Sequence, residues 1–150
     1  MSTPRRAVRA QSDTWNLTLQ DEVHIDGALT EAEAMSFDAV YFPGGNTSHL
    51  LERVRSTGFD RIIKRMVYAN KVYVGVSAGS IIATPNINKA DTGNPDTQAA
   101  GLSLLHAYID VHCEDGTKPR TDLPLPHVPL TDRQALWVTC TGFELIEGND

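Results

Sequence analysis

Two short apolar runs, each cut off by glycine and each followed by a helix-periodic segment, constrain this chain more than any other feature. The first is Asp38-Ala39-Val40-Tyr41-Phe42, stopped by Pro43-Gly44-Gly45. The second is Val72-Tyr73-Val74-Gly75-Val76, which runs into Ser77-Ala78-Gly79. Short continuous apolar runs bounded by turn residues predict buried strands. Between them, residues 47–56 place Leu50, Leu51 and Val54 on one helical face, and residues 58–69 do the same with Ile62, Ile63, Met66 and Val67. Strands alternating with helices predict a mostly parallel sheet with right-handed crossovers, hence an α/β fold.

The flanking regions are less regular. Residues 1–16 have no clear periodicity and read as a loose start; Leu17, Leu19 and Val23 suggest a short strand. Thr30 followed by Glu33 fits a capping box and predicts a helix over 30–36. Residues 85–100, rich in Pro, Asn, Asp, Thr and Gly, read as a long loop, a feature uncommon in compact domains unless functional. Tyr108 to His112 reads as a short strand. Residues 113–131, with Pro119, Pro124, Pro126 and Pro129, read as another loop. Two final strands, Ala135–Thr139 and Phe143–Ile146, are joined by a turn at Thr141-Gly142. With no repeat and no linker, the 150 residues are expected to form one domain.

Composition removes several function classes. The net charge of −6 argues against a nucleic-acid partner, and the basic cluster Arg5, Arg6 and Arg9 reads as a solvated tail. No apolar run approaches the roughly 18 residues of a membrane span, and the N-terminal segment lacks the apolar stretch of a signal peptide. Cys113 and Cys140 do not make a disulfide framework and are read as free thiols of a cytoplasmic protein. No His/Cys spacing suggests a metal, and no cofactor is expected.

The chemistry concentrates in Gly75-Val76-Ser77-Ala78-Gly79, a G-x-S-x-G sequence between a strand and an apolar stretch that can start a helix. In that setting the serine forms a nucleophile elbow. A tight, strained turn needs small neighbours on both sides. The helix N-terminus that follows supplies unpaired N–H groups and partial positive charge, both suited to an oxyanion. The plainer alternative is a glycine-rich turn with a capping serine. Pro43-Gly44-Gly45-Asn46-Thr47 ends the other strand, and in a parallel sheet both turns lie at the edge where sites form. The N–H groups of Gly45 and Ala78 are the expected oxyanion hole. Gly44, Asn46, Thr47 and, in the following loop, Asp91 are the expected substrate contacts. Asn46 or Thr47 as a helix N-cap is the plainer alternative.

A serine hydroxyl needs a base. His24, His49, His106, His112 and His127 compete. His112 is preferred because it ends a strand and so reaches a sheet edge. The orienting acid stays open on spacing alone among Asp91, Asp96, Asp110, Glu114, Asp132 and Glu147; Asp132, just before a strand, is attractive.

Gly44-Gly45-Asn46-Thr47-Ser48-His49-Leu50-Leu51, followed by Gly75-Val76-Ser77-Ala78-Gly79-Ser80, resembles the peptidase E (aspartyl dipeptidase) family of serine peptidases, which includes cyanophycinase. The resemblance runs from about Asp38 to Val138. It implies a three-layer, doubly wound, flavodoxin-like fold of the class I glutamine amidotransferase type. It implies Ser77 as nucleophile, His112 as base, Gly45 and Ala78 as oxyanion donors, and Asp132 as third triad member, with Glu147 and Asp91 as rivals. The implied activity is that of a serine exopeptidase on short peptides, including Asp-X dipeptides. An esterase or amidase, or an inactive binding protein on the same scaffold, are the alternatives; Ser77 in place of cysteine disfavours an amidotransferase.

Two departures accompany the resemblance. The family's first strand and helix have no counterpart here, so either the chain is truncated or a partner subunit, as in a homodimer, covers the gap. The arginine-bearing stretch linked to an acidic substrate side chain is also missing; Lys118, Arg120 and Arg133 carry positive charge nearby without an assigned role.

Overall fold

The computed structural model describes residues 29–88 and 99–148. The expectations for Arg5, Arg6, Arg9, Leu17, Leu19, Val23, His24, Asp91 and Asp96 lie outside them.

The described chain opens with a short helix, α1 (Glu31–Ala34). Its capping box forms: the Thr30 hydroxyl accepts from Glu33 N at 3.3 Å, and Glu33 Oε2 accepts from Thr30 N at 2.9 Å. Strand β1 (Ala39–Phe42) follows, then α2 (Thr47–Ser56), α3 (Phe59–Tyr68) and strand β2 (Val72–Gly75). β1 and β2 pair in parallel, from Ala39 opposite Val72 to Phe42 opposite Gly75. Asn46 caps α2 through its Oδ1, which accepts from His49 N at 2.9 Å. Gly58, at φ 73°, turns the chain between the two helices in a left-handed conformation that glycine adopts without steric cost.

The apolar periodicity of α2 and α3 finds its partner in the ladder. Leu51, Val54, Phe59, Ile63 and Met66 are buried together with Phe42. Val40, Phe42 and Tyr73 lie on one face of the β1–β2 ladder and join this cluster. Tyr41 and Val72 lie on the opposite face and stay exposed. The strands are therefore half-buried rather than buried throughout, because side chains alternate across a strand and the cluster reaches one face.

The elbow helix α4 (Ala78–Ile82) leads toward β3 (Tyr108–Asp110). β3 pairs in parallel with β4 (His127–Pro129). A second apolar cluster, Ala83, Leu105, Ala107, Ile109 and Leu130, packs beneath this ladder. The chain ends in an antiparallel hairpin, β5 (Gln134–Thr139) and β6 (Gly142–Glu147). The described strands thus make three two-stranded ladders, two parallel and one antiparallel. No helix among the described residues is long and apolar enough to cross a membrane.

Three details correct the sequence expectations. Residues 113–131 are not loop throughout, since β4 lies within them. Three residues flanked by Pro126 and ending on Pro129 carry no alternation signal, and pairing with β3 alone makes them a strand. β3 stops at Asp110, two residues before His112, which sits outside the ladder at φ 57°. The hairpin turn is Cys140-Thr141, with Gly142 already in β6.

Candidate active site

Ser77 is the residue between β2 and α4, and its backbone has φ 52° and ψ −112°. Such a conformation costs a non-glycine residue roughly 1–3 kcal/mol and persists only where the surroundings enforce it. Here two glycines let the turn close. A Cβ on Gly75 would stand 2.5 Å from Gly79 C, and a Cβ on Gly79 would stand 2.4 Å from Phe42 O. Side chains brace the same turn. Ser80 Oγ donates to Gly75 O at 2.7 Å, and Tyr73 Oη donates to Gly79 O at 2.7 Å. The Tyr73 ring stacks on Phe42 at 5.5 Å, and burial pushes its phenol pKa up, so the hydroxyl remains a donor. Neither brace was legible in the sequence; the only signal for Ser80 was its place directly after the motif.

Ser77 Oγ lies 2.9 Å from His112 Nε2, and His112 Nδ1 lies 2.5 Å from Asp132 Oδ1. An ionised carboxylate can only accept, so Nδ1 carries the imidazole proton and Nε2 is left to accept from the serine hydroxyl. The row is open to solvent at its far end, with the His112 and Asp132 side chains 62% and 75% exposed. Asp132 stands in a turn closed by Gln134 N donating to Thr131 O at 3.2 Å. Gln134 Oε1 accepts from Thr131 N at 3.0 Å, and Gln134 Nε2 donates to Glu147 Oε1 at 2.6 Å. Glu147, a rival for the orienting acid, is therefore engaged in supporting the turn that presents Asp132.

The Gly44-Gly45 turn faces the serine: a Cβ on Gly44 would stand 3.6 Å from Ser77 Oγ. Gly45 has φ 145°. Ala78 is the first residue of α4, where an N–H has no partner within the helix. Asn46 is the N-cap of α2 and Thr47 its first helical residue. His49 and His106 are exposed and stand outside the Ser77–His112–Asp132 row. His127 is buried and bonded to Asp110, so both leave the competition for base and acid. Glu114 accepts from Thr117 through its backbone carbonyl. Among the described residues, no group of three His, Cys, Asp or Glu is arranged to hold a metal ion.

The chain is thus an α/β protein with a serine, a histidine and an aspartate in one hydrogen-bonded row beside a glycine turn. It belongs to peptidase family S51, whose profile matches residues 20–146. It is 41% identical over 126 residues to the uncharacterized peptidase PM1590 of Pasteurella multocida, covering 75% of this chain and 60% of that protein. It is 39% identical over 70 residues to the uncharacterized peptidase Lmo0363 of Listeria monocytogenes, covering 47% of this chain and 34% of that protein. It is 36% identical over 85 residues to a peptidase E of Shewanella amazonensis, covering 55% of this chain and 36% of that one. Each match spans less than two thirds of the relative's own length. The crystal structure of a peptidase E candidate from Listeria monocytogenes EGD-e superposes with a TM-score of 0.64, at 22% identity, over 86% of this chain and 70% of that one. That likeness establishes a mixed α/β fold.

Proposed function

We propose that this chain is a serine-type exopeptidase acting on short peptides, including dipeptides with an N-terminal aspartate. The observation that carries the proposal is the continuous row from Ser77 Oγ to His112 at 2.9 Å and from His112 to Asp132 at 2.5 Å. Ser77 Oγ attacks the scissile carbonyl while His112 Nε2 takes its proton. The tetrahedral oxyanion accepts from the N–H groups of Gly45 and Ala78, which flank the serine from the glycine turn and the helix start. His112 then returns the proton to the leaving amine, and Asp132 keeps the imidazole in its Nδ1–H tautomer. Water hydrolyses the acyl-serine by the same route. Gly44, Asn46 and Thr47 line the approach to the serine and contact the substrate backbone, with Asp91 as a further contact. The two parallel ladders are read as parts of one doubly wound, flavodoxin-like sheet, and a cytoplasmic setting suits the free thiols.

The family membership and the peptidase E relative support peptide substrates. One observation favours a second reading, a broader amidase or esterase. Arg120, a cation available for an acidic side chain, already donates to Asp122 at 3.0 and 2.6 Å. The deciding experiment compares wild type and Ser77→Ala on Asp-X dipeptides, aspartyl anilides and simple esters, with fluorophosphonate labelling as a second readout. Hydrolysis and labelling confined to the wild type are expected. Equal hydrolysis by both proteins ends the serine mechanism, and ester turnover without aspartyl turnover selects the second reading.

A further inference from the structure

His127 has no part in the chemistry above, yet it is the most fully enclosed imidazole near it, with its side chain 2% exposed. Both ring nitrogens are used. Arg120 N–H donates to His127 Nδ1 at 3.0 Å, so that nitrogen carries no proton. Nε2 therefore holds the proton and donates to Asp110 Oδ2 at 2.7 Å. In the β3–β4 ladder Tyr108 stands opposite His127 and Asp110 opposite Pro129, so Asp110 and His127 are diagonal neighbours on one face. The bond is charge-assisted, with the ring end enclosed and the Asp110 side chain 38% exposed.

The two chain segments that leave this joint carry the two exposed members of the candidate row. His112 lies two residues beyond Asp110, and Asp132 lies three residues beyond Pro129. Past the strand ends the segments are tied by Leu130 N donating to Asp110 O at 2.8 Å and Cys113 N donating to Leu130 O at 2.9 Å. His112 sits between these ties at φ 57°, a conformation its surroundings must enforce. Gln134 and Glu147 brace the turn on the Asp132 side, and on the His112 side the segment is held by the β3–β4 ladder and the ties beyond it.

We infer that the Asp110–His127 pair is a positioning device that locks β3 to β4 and thereby aligns the His112 imidazole with Asp132. The inference rests on the serine mechanism proposed above and adds two residues that touch neither substrate nor nucleophile. The Arg120 amide extends the lock to the connection between the two strands.

The test uses the full chain with Asp110→Asn and His127→Gln, each also combined with Asp132→Ala. The readouts are the second-order rate of Ser77 labelling by a fluorophosphonate, per folded molecule, and kcat and KM on the best substrate of the panel. A loss of about tenfold or more in labelling and kcat is expected, since small misplacements of reacting groups are costly. KM should stay within about twofold. In the Asp132→Ala background the same changes should cost less than about twofold, because no alignment remains to be lost. Should neither variant fold, ¹⁵N shifts of the wild-type imidazoles carry the decision, with His127 protonated on Nε2 and His112 on Nδ1. Unchanged labelling in both variants, equal losses in both backgrounds, or the reverse tautomer at His127 overturns the inference. A wild type that takes no label at Ser77 overturns the serine mechanism and the positioning role together; a labelled wild type with unaffected variants overturns the positioning role alone.

Discussion

Gly79→Ala is expected to damage the elbow severely, because the added methyl collides with the neighbouring strand. The added Cβ would stand 2.4 Å from Phe42 O and 2.9 Å from Phe42 Cβ, where ordinary contact begins at 3.4 Å. The deficit is about 1 Å, and it falls on backbone rather than on a side-chain tip that could rotate away. The Phe42 carbonyl is itself fixed, since it accepts from Val76 N at 2.9 Å. The first turn of α4 must therefore move. A shift of that size stretches the 2.9 Å contact between Ser77 Oγ and His112 Nε2 beyond hydrogen-bonding range. Misplacement by 1 Å can cost on the order of 10²-fold in rate. Overpacking of this kind also costs about 1–3 kcal/mol of stability. For a domain of this size each kcal/mol lowers Tm by about 2–4 °C. Gly44→Ala is the graded companion: its Cβ would meet Ser77 Cβ at 3.2 Å, a deficit of a few tenths of an ångström. Fluorophosphonate labelling rates and thermal melts of both variants against wild type measure the two effects. Wild-type labelling and Tm in Gly79→Ala, or a larger loss in Gly44→Ala than in Gly79→Ala, would refute the steric reasoning.

Asp132→Asn keeps the shape of the turn but removes the carboxylate that fixes the His112 tautomer; kcat should fall by about 10²–10⁴-fold with Tm unchanged. A variant as active as wild type would pass the orienting role to another acid. Tyr73→Phe removes the donor to Gly79 O and should cost about 1–3 kcal/mol, read from urea unfolding with an unchanged m-value. The hydroxyl and amide of Thr30 hold the Glu33 carboxyl below its ordinary value of 4.5. A folded-state pKa below the unfolded one means that the capping box contributes stability above the unfolded value and loses it as pH falls through the folded value. Carbon-detected titration of the Glu33 carboxyl should show the depression in wild type and a smaller one in Thr30→Ala, which loses the hydroxyl but keeps the amide donor; identical titration curves would remove the coupling to the hydroxyl.

The elements that were legible in the sequence are those whose signal is local. The helices over 47–56 and 59–68 announce themselves through Leu51, Val54, Ile63 and Met66, recurring at the helical period and matched by one apolar face of the β1–β2 ladder. The Thr30–Glu33 box and the Asn46 cap are written within four residues, so their bonds could be anticipated without knowing the rest of the chain. The glycines around Ser77 likewise announce a turn too tight for side chains. β4 was not legible: His127-Val128-Pro129 carries no pattern, and it becomes a strand only because β3 lies beside it. The function of His127 was hidden for the same reason, since a histidine in a proline-rich stretch looks solvated until Asp110 and Arg120 enclose it.

The amino-acid order by itself determined that a serine would sit at a bend between strand and helix, because glycine spacing and apolar runs act over a few residues. Only the tertiary structure decided which imidazole meets that serine, and which carboxylate meets the imidazole. Ser77 and His112 are separated by 35 residues and His112 and Asp132 by 20, and no short-range preference acts over such distances. Their meeting depends on two strands being locked side by side, and that is a property of the packed chain.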